Sequence, residues 1–594
     1  MPSSFLAYRR DCATFQQRRQ AKLDELAPIL DAPLTESESK IHSLSLSELV
    51  DRHQAGSVSS QDVIYTYGKK AFAAHKATNC LSDVMIHDLL PPTGHVALNG
   101  NGDAYRPTKG NGYANGHADL SPSPSVSSVD TFAEDSEHPL SGVPVSIKDV
   151  IDVEGYPTTM GYSANALTPV PSSAPIIHLL RRAGAILHVK TAVPMGLLSL
   201  ETDSELFGRT ANPINPAYSS GASTGGGGSL LAMGGSVIEL GSDVGGSVRL
   251  PAAFCGIYGM KASNGRFPST GVAVSTPGCE AVPTVVSPMA RRLEDLEEFW
   301  KRVMALRPWE IDRTCIPMPW RPTSFEGKKM RVGVLWNDGI IPMSPAALRS
   351  INIVIESLKA RGHEVVDFKP PTFEVLKAGY QLAFAEGGAQ IAAPLRPFER
   401  LNGGISSVIS TYRLPYFIKN ILASFLPPKD AELVRAFHPK SVYRMRELVV
   451  ELDKLKQQWH EMWLDQGIDL VITAPCSVPG LPAGGTTKAG LATASYTFLF
   501  NILDLPAGIV PVTTVSSKLD ALPSSFKLSD LDPSAQGPYS MYDADKMQGL
   551  PVGVQIVGRR LTEEHVLAGM REVKEAVAAW DGKDVRTEWT PTLS

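Results

Sequence analysis

Residues 219–254 read SSGASTGGGGSLLAMGGSVIELGSDVGGSVRLPAAF, and the rest of the chain is organised around this stretch. Ten glycines and seven serines, with a single Glu, Asp and Arg, make a poor hydrophobic core. They make an equally poor linker, because the apolar segments LLAM and VIEL interrupt them at core-like density. Glycine tolerates unusual φ and lets backbone N–H groups approach a ligand. The run Gly225–Gly228, and the Gly245-Gly246 pair before Ser247, therefore suit loops that present amides to an anion. Serines held between such loops are candidate nucleophiles.

Ser223 lies in GASTG, which satisfies G-x-S-x-G, but an α/β-hydrolase elbow needs a strand just before the serine. The preceding NPINPAYSS consists of turn formers, so that reading fails on context. Neither HExxH nor GxxxxGK[ST] occurs, which leaves zinc peptidase and nucleotide hydrolase without an anchor. A serine without a positioned histidine needs another base, and a lysine serves when burial drives its pKa toward neutrality. Lys148 in VSIKDV, Lys190 in LHVKTA and Lys261 in IYGMKA all follow strand-like apolar residues, and spacing does not choose among them.

Outward from this stretch the chain alternates strand and helix. GVPVSIKDVIDVEG from Gly142 is followed by a helix opened by Ser172-Ser173 and then the strand AILHVKTAV. The same alternation returns at MRVGVLW, the helix from Ser344 to Gly362, and HEVVDF. DLVITAP, DLPAGIVPV, LPVGVQIVG and a helix from Thr562 to Trp580 complete it. This pattern predicts an α/β fold. Ahead of it, residues 4–30, Ser45 to Gln54 and a segment from Ser59 or Ser60 read as helices, an N-terminal helical arm over 1–90. Residues 91–139 are rich in Gly, Asn, Ser and Pro and are expected to form a low-complexity, disordered insertion, because they cannot bury enough apolar surface to offset ordering entropy. Residues 140–594 then form the body. Within it 404–428 carries Leu414, Tyr416, Phe417, Ile418, Ile421, Leu422, Phe425 and Leu426, with Arg413 and Lys419 beside them. Such a helix is either core or an oligomer contact, or a cap that dips into lipid with its cations at the headgroups.

Among 594 residues, 43% are hydrophobic and 20% charged, as in a soluble globular protein, and a net charge of −5 gives no case for nucleic acid. Arg9, Arg10, Arg18, Arg19 and Lys22 cluster near the N-terminus, where a solvated helix face is the ordinary reading and attraction to anionic lipid the sharper one. The six cysteines show no CxxC spacing, no Asn-x-Ser/Thr sequon occurs, and the N-terminus lacks the apolar region of a signal peptide. The expectation is an intracellular protein, cytoplasmic or peripheral on an internal membrane, with no spanning helix.

The run from Gly142 to Ser269 resembles the amidase signature family, whose members pair a lysine in a VS-[IL]-K segment with two serines in a Gly/Ser-rich core. The matching positions are Lys148, Ser223 and Ser247, the last within SDVGGSVRLPAAFCGIYGMK. VIYTYGKKAFAAHKATNC, RLPYFIKNILASFLPP, YTFLFNILDLPAGIVPVTTV and GLPVGVQIV are similar to segments of the fatty acid amide hydrolase branch of that family. The resemblance implies a large mixed, mostly parallel β-sheet covered by helices on both faces. It also implies a Ser-Ser-Lys relay in which neutral Lys148 takes a proton from Ser223, and Ser223 from Ser247, which attacks the amide carbonyl. The amides across Val244, Gly245, Gly246 and Ser247 would hold the oxyanion, at about 3 to 4 kcal/mol per donor. No metal or cofactor is implied. Asp243 and Arg249 flank this turn, as a bracing ion pair or as ordinary partners in a buried network.

Two departures stand out. Gly227 replaces a glutamate common in the family, and Leu197, Leu198 and Leu200 stand where the mammalian enzyme lines its acyl channel partly with aromatics. The expected reaction is hydrolysis of fatty acid amides of the N-acylethanolamine type to fatty acid and amine. The alternatives are a general amidase acting on short aliphatic or aromatic amides, because signature motifs report chemistry and not pocket length, and a non-catalytic lipid-binding relative. The expected associations are a lipid amide substrate, peripheral membrane contact through 404–428, and a homodimer.

Overall fold

A computed structural model describes residues 2–86, 89 and 138–582. The arm begins with helices α1 (Pro2–Leu30), α2 (Glu36–Ser43), α3 (Leu46–Gln54) and α4 (Ser60–Thr78). Three of these start at capping boxes, Thr35 with Glu38, Ser45 with Glu48 and Ser59 with Asp62, each satisfying two otherwise orphaned N–H groups. Helix α2 is too short to show an apolar period, and its start is marked in the sequence by the Thr35-x-x-Glu38 signature alone. Tyr8, Cys12, Phe15, Leu23, Leu26 and Leu30 form the buried face of α1. Its basic residues are not all solvated: Arg19 donates to the carbonyls of Leu81 and Phe207, and Lys22 pairs with Asp83 at 2.7 Å. The expected insertion, 91–139, lies outside the described residues apart from His138 and Pro139.

The strands are β1 (Leu81–Val84), β2 (Pro144–Lys148), β3 (Ile186–Thr191), β4 (Asp203–Ser204), β5 (Gly208–Arg209), β6 (Ile238–Asp243), β7 (Tyr258–Lys261) and β8 (Val285–Ala290). They continue with β9 (Arg331–Val334), β10 (Glu364–Asp367), β11 (Leu470–Thr473), β12 (Ala507–Thr514) and β13 (Pro551–Val557). Eleven of them make one mixed sheet in the order β1-β3-β2-β6-β8-β7-β12-β13-β11-β9-β10, and β4 pairs with β5. Parallel pairing lies in two blocks, β3-β2-β6 and β11-β9-β10, on either side of an antiparallel middle. Every residue of β2, β3, β6, β8 and β13 is buried. Since side chains alternate across a strand, helices cover both faces of the sheet.

The helices that follow are α5 (Pro175–Arg182), α6 (Gly225–Ala232), α7 (Arg249–Cys255), α8 (Leu293–Ala305), α9 (Pro345–Ala360) and α10 (Thr372–Ala383). Helix α5 opens at Pro175 behind Ala174 rather than at the expected serines, and Ser173 Oγ instead accepts the Glu154 N–H at 2.9 Å. The run Gly225–Gly228 is the first turn of α6 and not a loop. Its glycines serve close packing: a Cβ on Gly226 would lie 2.6 Å from the backbone of Ala192 and Cys80, and one on Gly227 would lie 2.4 Å from Glu239 Cδ.

The 404–428 segment is two helices, Gly403–Arg413 and Tyr416–Ala423, divided at Pro415, where a proline cannot continue the ladder. Tyr416, Phe417, Ile421, Leu422 and Phe425 are exposed, Phe425 at 84%. Lys419 departs from expectation. It is buried, donates to the Phe437 carbonyl and lies 5.4 Å from the Tyr412 ring centroid, so it is not placed to meet a headgroup. Among the described residues no helix is long and apolar enough to cross a membrane, and all six cysteines are free thiols.

Candidate active site

Lys148 ends β2, and its neighbour β6 runs parallel to it and carries the chain toward Ser247. The lysine is fully buried, with Nζ 2.7 Å from Ser223 Oγ, 3.0 Å from Ser242 Oγ and 3.1 Å from the Ser242 carbonyl. A neutral amine has two N–H donors and one lone pair. It fits three such partners if one hydroxyl donates back, and Ser223 can do so. Burial pushes the amine down to about 7, partly offset by the charges of Asp243 and Glu239. The other two lysines are elsewhere engaged: Lys190 pairs with Asp149 at 3.0 Å, and Lys261 donates to the carbonyls of Ala262 and Leu505.

Ser223 sits in the turn before α6, with no strand ahead of it, as its context predicts. Its neighbour Thr224 donates its N–H to the Ser247 carbonyl at 3.2 Å, which holds the two serine loops side by side. The hydroxyls of Ser223 and Ser247 are not hydrogen-bonded to each other among the described residues. Such contacts commonly close only when substrate is bound.

The turn from Asp243 to Arg249 is built around a buried, bidentate ion pair. Arg249 donates Nε to Asp243 Oδ2 (3.1 Å) and Nη2 to Oδ1 (2.9 Å), while Nη1 reaches the Thr497 carbonyl and Gln555 Oε1. Burial alone would raise the Asp243 carboxyl, but the Arg249 guanidinium, Asn501 and the Val248 N–H hold it well below the usual carboxylate range. Asp243 also accepts the N–H of Gly246 (2.8 Å) and of Val248 (3.0 Å). This corrects one expectation: the Gly246 amide is committed to Asp243, which leaves those of Val244, Gly245 and Ser247 without a partner among the described residues. Gly246 is required for shape, since its φ is +115° and a Cβ there would lie 2.1 Å from Thr497 Oγ1.

Ser247 opens onto a mainly apolar cavity that Leu197, Leu198, Leu200, Val244 and Gly245 also line, whereas Gly246 and the Lys148–Ser223 pair lie outside its lining. Tyr380, Phe384, Phe498 and Leu491 complete the wall. The sequence carried no signal for these aromatics, which come from α10, its end, and the helix Ser495–Ile502. A second apolar cavity shares Tyr380, Phe384 and Leu491 with the first and extends to Leu422 and Phe425.

The family model described as Amidase matches residues 126–567, and the chain belongs to that family, the amidase signature hydrolases. Fatty-acid amide hydrolase 1 of Sus scrofa is 31% identical, with 95% of this chain and 92% of the relative covered. An acetamidase of Emericella nidulans is also 31% identical, covering 91% of this chain and 90% of the relative. A solved structure of a fatty acid amide hydrolase superposes with a TM-score of 0.74 at 25% identity, covering 97% of this chain and 95% of that one.

Proposed function

We propose that this amide hydrolase cleaves fatty acid amides of the N-acylethanolamine type through an acyl-enzyme. The observation that supports the substrate class is that Tyr380, Phe384 and Leu491 line both cavities, which sets the cavity at Ser247 next to an apolar one that reaches the exposed Leu422 and Phe425. A long acyl chain would use both cavities, whereas a short amide needs only the first.

In the proposed mechanism the free amine of Lys148 takes the Ser223 proton as Ser223 takes that of Ser247. Ser247 Oγ then attacks the amide carbon, and the amides of Val244, Gly245 and Ser247 receive the oxyanion. The relay runs backward to protonate the leaving amine, and water releases the fatty acid. The ammonium form of Lys148 cannot accept a proton, so the rate of fluorophosphonate labelling should rise with pH through about 7 and then level off. A labelling rate flat between pH 5 and 9 would remove Lys148 as the base.

The exposed Tyr416, Phe417, Ile421, Leu422 and Phe425 support a membrane-docking role for 404–428, where burying several such side chains supplies several kcal/mol at about 25 cal/mol per Å2. Phe417→Ser with Ile421→Ser is expected to weaken liposome binding. It should also slow hydrolysis of a long-chain amide in vesicles by about tenfold or more while sparing a short soluble amide. Equal slowing of both substrates would make the helix pair structural.

The acetamidase relative, as similar in sequence as the fatty-acid amide hydrolase, supports a second reading, a general amidase for short amides. Comparing kcat/KM for acetamide with that for a long-chain N-acylethanolamine decides between them.

A further inference from the structure

Glu239 is a fully buried carboxyl group that the serine relay does not use. It stands in β6 opposite Ser146 of β2 and accepts hydrogen bonds from the Ser146 hydroxyl and from Thr191 Oγ1, the latter at 2.6 Å. Thr191 in turn lies opposite Lys148 across the β2–β3 ladder, and Ser146 and Lys148, two residues apart, share a face of β2. The carboxyl and the amine therefore lie on one face of three adjacent strands. Helix α6 closes over that face, with Gly227 leaving the space that the Glu239 side chain occupies.

The ionisable groups around the pair are few. Asp243, farther along β6, is committed to Arg249 of α7, and the Cys80 thiol approaches from the start of β1. Helix α6, with the sequence GGGGSLLA, brings no ionisable side chain. Arg249 spends its guanidinium on Asp243, Asn501, Gln555 and the Thr497 carbonyl, so among the described residues Lys148, on the shared face of β2, is the cation whose charge acts on the Glu239 carboxyl.

We propose that Glu239 is a positioning residue that acts through Lys148: from the same face of the sheet, and without a direct hydrogen bond to the amine, its buried carboxylate sets the pH at which the amine becomes a free base. Burial raises the Glu239 carboxyl and lowers the Lys148 amine, and the charge of each acts on the other. The sign follows from charge. An ionised Glu239 stabilises the ammonium of Lys148 and so delays release of the free amine to higher pH. This proposal rests on the reading of Lys148 as the base.

The test is the pH profile of fluorophosphonate labelling in the full chain, with each curve normalised to its own plateau. Glu239→Gln keeps the shape and an acceptor for the two hydroxyls but removes the charge, and is expected to move the acid limb down by about one pH unit. An unmoved midpoint, or a rate lowered by the same factor at every pH, overturns the proposal, because a merely structural loss scales the whole curve. If Glu239→Gln fails to fold, Ser146→Ala serves instead. Losing a hydroxyl donor favours the neutral acid, so the midpoint should move the same way by less, and no movement overturns the proposal equally. Lys148→Ala is measured alongside. Abolished labelling there with an unmoved limb in Glu239→Gln counts against Glu239 alone, whereas retained labelling removes the base and this proposal with it.

Discussion

Ser247→Ala is expected to abolish fluorophosphonate labelling and to lower turnover by about 10^4-fold or more, the size of loss seen when a nucleophile is removed from a catalytic unit. Three serines line the cavity, but Ser275 donates to the Gly196 carbonyl and Ser199 is hydrogen-bonded to Thr486. Ser247 is the one placed on the Asp243–Arg249 turn, beside amides able to receive an oxyanion. Ser223→Ala should instead leave slow residual labelling, because the nucleophile survives while its path to Lys148 is cut. Mass spectrometry of the labelled parent protein tests the assignment: an adduct on Ser223 would reverse the two roles.

Arg249→Ala should destabilise the fold by about 3 to 5 kcal/mol, the range for breaking a buried ion pair by removing one partner. The cost is high because Asp243 is fully buried and would keep its charge with only Asn501 and two backbone N–H groups to satisfy it. Turnover should fall as well, since the same carboxylate holds the amides of Gly246 and Val248. Arg249→Lys should not restore either property, because a point-like ammonium cannot reproduce the two-pronged contact. The folded carboxyl titrates below its unfolded value, so this stabilisation is complete above about pH 4 and is lost only as pH falls through the folded value. Thermal midpoints at neutral pH check the prediction, and an alanine variant as stable as the parent would show the network to be dispensable.

How much of this was legible in advance depended on range along the chain. The helix starts at Ser45 and Ser59, the strands around Lys148 and 470–473, and the turn before Ser247 all announce themselves through neighbours within a few residues. Capping side chains, apolar period and glycine are local instructions to the backbone. The resemblance to a known family then named Lys148, Ser223 and Ser247 together.

Local pattern alone could not choose among Lys148, Lys190 and Lys261, since all three end similar apolar runs. The tertiary structure decided it by setting β2 beside β6 and closing the turn before α6 over that face, so that among the three only Lys148 reaches Ser242 and Ser223. In the same way tertiary structure turned the four glycines into a helix packed against Glu239, committed the Gly246 amide to Asp243, buried Lys419 and brought Tyr380 and Phe498 to the site. The sequence by itself determined which elements form and which chemistry they carry, because those depend on torsions and contacts within a turn or two. Which buried group meets which was decided only by the tertiary structure, because strands neighbouring in the sheet, such as β7 and β12, are hundreds of residues apart in the chain, and no local pattern encodes a contact across that distance.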